Sequence, residues 1–143
     1  MQKKGLRTVD VKLELYEMIE LVFSGLREEK GVIRAGPGNS EFPTRKTYKA
    51  IHCLSKEFPN LFPDYWVTDY LDFPHSKHLE DILFDMGAWG LLTLCGPRMD
   101  LQRVAVKMKK VMAESLLKCH GEGKIRKLLP IVERFNKLMA AED

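Results

Sequence analysis

Gly31, Gly36, Pro37, Gly38 and Pro43 crowd the segment "EKGVIRAGPGNSEFPT", and no continuous helix can run through it. The segment reads as an ordinary linker. Its Gly36-Pro37-Gly38 core lacks the Lys-Ser/Thr that a phosphate cradle carries at the start of the next helix. Upstream, residues 8–29 read as one long outer helix, capped by Thr8 or Asp10. Val11, Leu15, Ile19, Val22, Phe23 and Leu26 recur at three- and four-residue steps. Leu13, Tyr16, Met18 and Leu21 widen that stripe. A helix apolar on two sides suits packing against a second subunit, so a homodimer is expected.

Downstream the chain reads as further helices. Thr44 to Phe58 forms one, with Tyr48, Ile51, Cys53, Leu54 and Phe58 as its apolar set. "PDYWVTDYLDF" predicts a short third helix with Trp66, Val67, Tyr70 and Leu71 inward, and Asp72-Phe73-Pro74 turns the chain. A fourth helix runs from Pro74 or His75 to Met86, burying Leu79, Ile82, Leu83 and Met86 until Gly87 stops it. Leu92, Thr93 and Leu94 suit a short strand. Arg103 to Met108 can return as a second strand, or belong to a helix from about Asp100 to Cys119. The Met, Lys, Glu and Leu content favours the helix. The last helix spans Lys124 to Ala140, kinked or interrupted at Pro130. The expected fold is therefore mainly α with a small β-hairpin, in one domain over residues 1–143. Its parts are the outer helix 8–29, a core over 44–98 and C-terminal helices over 99–141.

The stretch "VTDYLDFPHSKHLEDILFDMGAWGLL" places a helix ending at Leu71, a turn, a helix with Leu79, Leu83 and Met86 inward, and Gly90-Leu91-Leu92 entering a strand. In that order it resembles winged helix-turn-helix transcription regulators, in which the second helix lies in the major groove and the hairpin forms the wing. The outer helices on either side make the chain similar in architecture to MarR-like regulators, whose outer helices form the dimer. The resemblance implies double-stranded DNA as partner. Ser76, Lys77 and His78 would contact base edges or phosphates at the start of the fourth helix. Arg98 and Arg103 at the wing, with Arg45 and Lys46, would hold phosphates.

The distribution of charge argues in both directions. Nine basic and three acidic residues fall within 98–127, whereas Lys77 is the one cation against six carboxylates within 61–97. Phosphate attraction supplies most of the affinity of DNA binders, so the motif's own face opposes the task. The alternative is a protein-interaction module or adaptor of the same winged-helix shape that binds no nucleic acid. The acidic face of residues 61–97 would then dock a basic protein partner.

Other chemistry is thinly represented. His75 and His78 are spaced for a metal, with Cys95 or His52 as further donors, but no complete ligand set is visible. His52-Cys53 and Cys119-His120 are sequence neighbours that point apart on a helix, and no acid, base and nucleophile converge. Neither a cofactor nor an enzyme is expected. The three cysteines read as reduced, largely buried thiols, and Trp66 and Trp89 as core anchors, with either tryptophan able to edge a ligand site. Lys12, Glu14 and Glu17 break any signal-like apolar run, and none approaches the ~20 residues of a membrane span. A cytoplasmic protein is expected.

Overall fold

A computed structural model describes residues 14–59, 65, 67, 68, 73–96 and 102–141. Helix α1 (Leu15–Phe23) begins where the Glu14 N–H donates to the Glu17 carboxylate. It ends where the Ser24 hydroxyl donates to the Leu21 carbonyl at 2.7 Å. Gly25, at φ +72°, then turns the chain; a side chain there would press on the Pro37 carbonyl at 2.9 Å. The outer helix thus stops at Phe23, well short of residue 29, and residues 8–13 lie outside the described residues. Leu15, Met18, Ile19, Leu21, Val22 and Phe23 are all buried within this one chain, so its own core covers both apolar sides of the helix.

The Gly/Pro-rich segment is not a linker. It holds β1 (Arg27–Glu29), β2 (Val32–Arg34) and β3 (Gly38–Pro43). Strands β1 and β2 pair antiparallel around Lys30 and Gly31, both at positive φ (52° and 78°), as a tight two-residue hairpin requires. Strand β3 joins β4 (Leu92–Cys95) and β5 (Arg103–Met108) in a second antiparallel sheet of order β3-β5-β4. Residues 103–108 are therefore a strand, and the helix expected over 100–119 shortens to α4 (Lys110–His120). The alternation across β5 decides this: Val104, Val106 and Met108 are buried, while Arg103 and Lys107 are exposed.

Helix α2 (Thr44–Glu57) follows β3 directly, with the Thr44 N–H donating to the Gln102 carbonyl beside the end of β5. Helix α3 (Lys77–Ala88) leads through Gly90 into β4, and α5 (Glu122–Ala140) closes the fold. Pro130 neither ends nor divides α5; it sits on the solvent side, where water can satisfy the carbonyl whose N–H partner is missing. Of the expected third helix, Tyr65, Val67 and Thr68 are described and none is helical. Thr68 instead pairs with His75 as an antiparallel bridge. The inward positions Trp66, Tyr70 and Leu71 lie outside the described residues.

The architecture is mixed α/β, with five helices and two small antiparallel sheets among the described residues, and not mainly α. Glycine and proline punctuate short strands as readily as linkers, and the amphipathic β5 runs almost directly into α4, so neither sheet leaves an unambiguous signature in sequence. The core lies between the sheet and helices α1, α2 and α5. Phe23, Phe42 and Phe135 meet there with ring centroids 6.0–6.3 Å apart. Below α3, Leu79, Ile82, Leu83 and Met86 are buried as the spacing predicts.

Candidate interaction surface

Helix α3 starts at Ser76, whose hydroxyl accepts from the Leu79 N–H at 3.2 Å. This N-cap role explains why Ser76 is fully buried (0% exposed), and it turns the side chain away from any groove. Burial raises the Tyr65 phenol pKa, with a hydrogen bond to Ser76 as a smaller opposing influence. His75, just before the cap, is buried as well. Its ring stacks on Tyr48 with centroids 5.2 Å apart, and Nε2 lies 2.5 Å from the Glu80 carboxylate. It therefore does not share a surface with His78, which is exposed.

Lys77 is exposed but engaged. Its ammonium lies 3.0 Å from Asp81 and 3.5 Å from Glu80, one turn along the same face. Its hydrogen bond to Asp81, reinforced by the field of both carboxylates, raises its pKa. Arg103 donates to Glu41 across β5 and β3 at 2.5 Å. The Arg45 guanidinium lies over the Phe73 ring at 5.7 Å, and Lys46 donates to the Ala141 carbonyl. Arg98 lies outside the described residues. Of the residues predicted to meet DNA, Lys77 and His78 share one exposed helical turn. Arg103 and Lys46 are tied to separate parts of the fold.

The outward face of α3 has a different character. Asp81 and Asp85 flank Phe84, which is 70% exposed, and Trp89 just past the helix end is 79% exposed. Trp89 is thus no core anchor. Phe84, Gly87, Ala88, Leu92, Thr93 and Leu94 line a hollow of about 330 Å³ between α3 and β4. The negative field reaches the neighbouring helix. Burial, then Glu20 and Asp85, raise the Tyr16 pKa, and burial, then Glu17, raise that of Glu20. An exposed ring on a shallow hollow supplies contact area, while neighbouring carboxylates on the same helix select for positive charge. The sequence marks the carboxylates and leaves Trp89 between core anchor and ligand edge, but does not single out Phe84, because residue type alone does not distinguish a buried ring from an exposed one.

Among the described residues, no group of three or more His, Cys, Asp or Glu side chains could hold a metal ion. All three cysteines are free, and Cys95 and Cys119 are exposed where burial was expected. No described helix is long and apolar enough to cross a membrane. No protein family, curated protein or solved structure matches the chain.

Proposed function

We propose that the chain is a non-enzymatic protein-interaction module whose α3–β4 face docks a partner segment that is basic and apolar. The observation that supports this reading is Phe84, 70% exposed on the wall of a hollow and set between Asp81 and Asp85 on the outward side of α3, with Trp89 exposed just past the helix end. A large exposed ring beside an apolar hollow marks a surface suited to docking. The carboxylates add partner choice and encounter rate, and the rings add most of the affinity. A cytoplasmic setting goes with this reading and with three unpaired thiols, two of them exposed. A homodimer goes with it too. Helix α4 offers the surface, with Val111 80% and Met112 43% exposed on one side and Ala113 its one buried residue.

A specific observation favours a second reading, DNA binding as a transcription regulator resembling the winged-helix type. Helices α2 and α3 precede the antiparallel pair β4–β5, and β5 presents Arg103 and Lys107 outward. Against it, Asp81 and Glu80 hold Lys77, and Ser76 is buried.

One titration separates the two. A Lys/Leu amphipathic peptide and a random-sequence DNA duplex are each added to the full chain at low and high salt, with anisotropy as readout. The proposal expects peptide binding that weakens strongly in Asp81→Lys and Phe84→Ala. Duplex binding that falls steeply with salt, with no peptide binding, would replace it with the DNA reading.

A further inference from the structure

On another surface, the β1–β2 hairpin stands beside α4 without closing onto it. Two adjoining hollows of about 390 and 260 Å³ lie between them and share Val32, Ile33, Leu117 and Lys118. Their apolar floor comes from Val32, Ile33, Ala35 and Leu117. Arg27, Arg34, Lys110 and Lys118 stand around it as cations. Two carboxylates line the hollows as well, Glu114 3.8 Å from Lys110 and Glu122 held by Arg126, while Glu29 is shared by Arg27 and Arg34, so four lining cations outnumber two lining carboxylates.

A two-stranded hairpin is marginal by itself, yet this one is fastened at both ends. At its tip, Arg126 of α5 donates to Glu28 at 2.9 Å and to the Gly31 carbonyl at 3.0 Å. At its base, Arg27 donates to the Gly25 and Gly36 carbonyls at 2.9 and 3.0 Å. Close approach sets the spacing to α4. A side chain at Gly36 would meet the Ala113 Cβ at 2.8 Å and the Lys110 Cα at 2.9 Å. Two arginines therefore hold an aliphatic trough open, and its volume falls in the range of small-molecule sites.

We infer that this trough binds a small amphipathic carboxylate, its apolar body against Val32 and Leu117 and its anionic head against Arg34 and Lys118. Aliphatic floor and cationic rim together fit that chemistry better than either a neutral lipid or a bare inorganic anion. Arg126 acts as a positioning residue that fixes the trough wall. The inference is independent of the α3–β4 surface.

The test uses the full chain loaded with the fluorescent probe anilinonaphthalene sulfonate, displaced by decanoate, decanol, decyltrimethylammonium or inorganic phosphate. Decanoate should compete best, and its amide shifts should centre on residues 27–35 and 110–122. Charge reversal by Arg34→Glu with Lys118→Glu should weaken decanoate on the order of tenfold and leave decanol unchanged. Val32→Asp, at a position 51% exposed in the native chain and so safe for folding, should weaken both. Equal competition by decanol or phosphate would overturn the inference. So would an unchanged decanoate affinity in the charge-reversed variant, or shifts centred on Phe84 and Trp89.

Discussion

The α3–β4 face and the hairpin–α4 trough are both apolar surfaces left in solvent, and they differ in what surrounds them. Carboxylates from α3 and α1 border the first, around aromatic rings. Arginines and lysines border the second, around aliphatic side chains. A net charge of +3 conceals this division. The contrast also shows that a basic block in sequence is not one surface. Of the nine cations within 98–127, Arg103 answers Glu41, Arg126 clamps a hairpin, and Lys110 and Lys118 edge the trough. Exposed apolar area makes a site available, and its charge decides what can use it.

The contrast can be broken most forcefully from the trough side. Gly36→Val places a branched side chain at φ +76° against Ala113 and Lys110, and should cost about 3 kcal/mol or more, since backbone strain and overpacking add. Urea denaturation measures the loss. Hydrogen exchange should show the hairpin and α4 opening while the α3 amides stay protected. Equal loss of protection in α3 would mean the two regions are not separate structural units.

Next in size is a reversal of the acidic border. Asp81→Lys with Asp85→Lys should weaken the basic peptide on the order of 100-fold and leave decanoate competition untouched. Phe84→Ala should cost the peptide roughly tenfold, yet shift stability by no more than about 0.5 kcal/mol, because the ring is 70% exposed. A large fall in thermal midpoint in that variant would make Phe84 a folding residue and not a contact.

The smallest expected effect is a pH dependence that belongs to neither border. Burial, then Lys56, lowers the His52 pKa below its ordinary 6.5, and burial, then Lys124, lowers that of His120. As pH falls below about 6.5, the unfolded chain takes up protons before the folded one does, so stability declines on acidification until the folded values are passed. His52→Gln should flatten this decline in urea titrations between pH 7 and 5. An unchanged slope would exclude His52 as its source.

Much of the helical framework was legible in the residues. Tyr48, Ile51 and Leu54 mark α2, and Leu79, Ile82, Leu83 and Met86 mark α3, because one-sided burial leaves a helical period in sequence. The first sheet and β3 were not legible. Gly31, Gly36, Gly38 and Pro43 punctuate short strands and linkers alike, and Lys30 gave no sign that it would adopt φ 52° in the hairpin turn. Arg103 to Met108 fits a strand, but the Met, Lys, Glu and Leu content of residues 100–119 favours a helix, and a helical stripe can be drawn as readily through Val111 and Met112. Val111 is in fact 80% exposed, so that stripe was never a buried face. At the candidate surface, spacing located the turn bearing Ser76, Lys77 and His78 but not its chemistry. Whether a hydroxyl caps a helix or faces solvent depends on the backbone preceding it, and Ser76 spends its oxygen on Leu79.

Strand β5 stands at the centre of its sheet and is the last of the five strands among the described residues. Until residues 103–108 arrive, β3 and β4 have no edge to pair with, and the Thr44–Gln102 contact closes a span of 58 residues. The loop-closure entropy of that span is met only when β5 docks, which makes its pairing a long-range contact of high sequence separation. Both outer strands, and the start of α2 through the Thr44 N–H, thus depend on one six-residue strand and the residue before it.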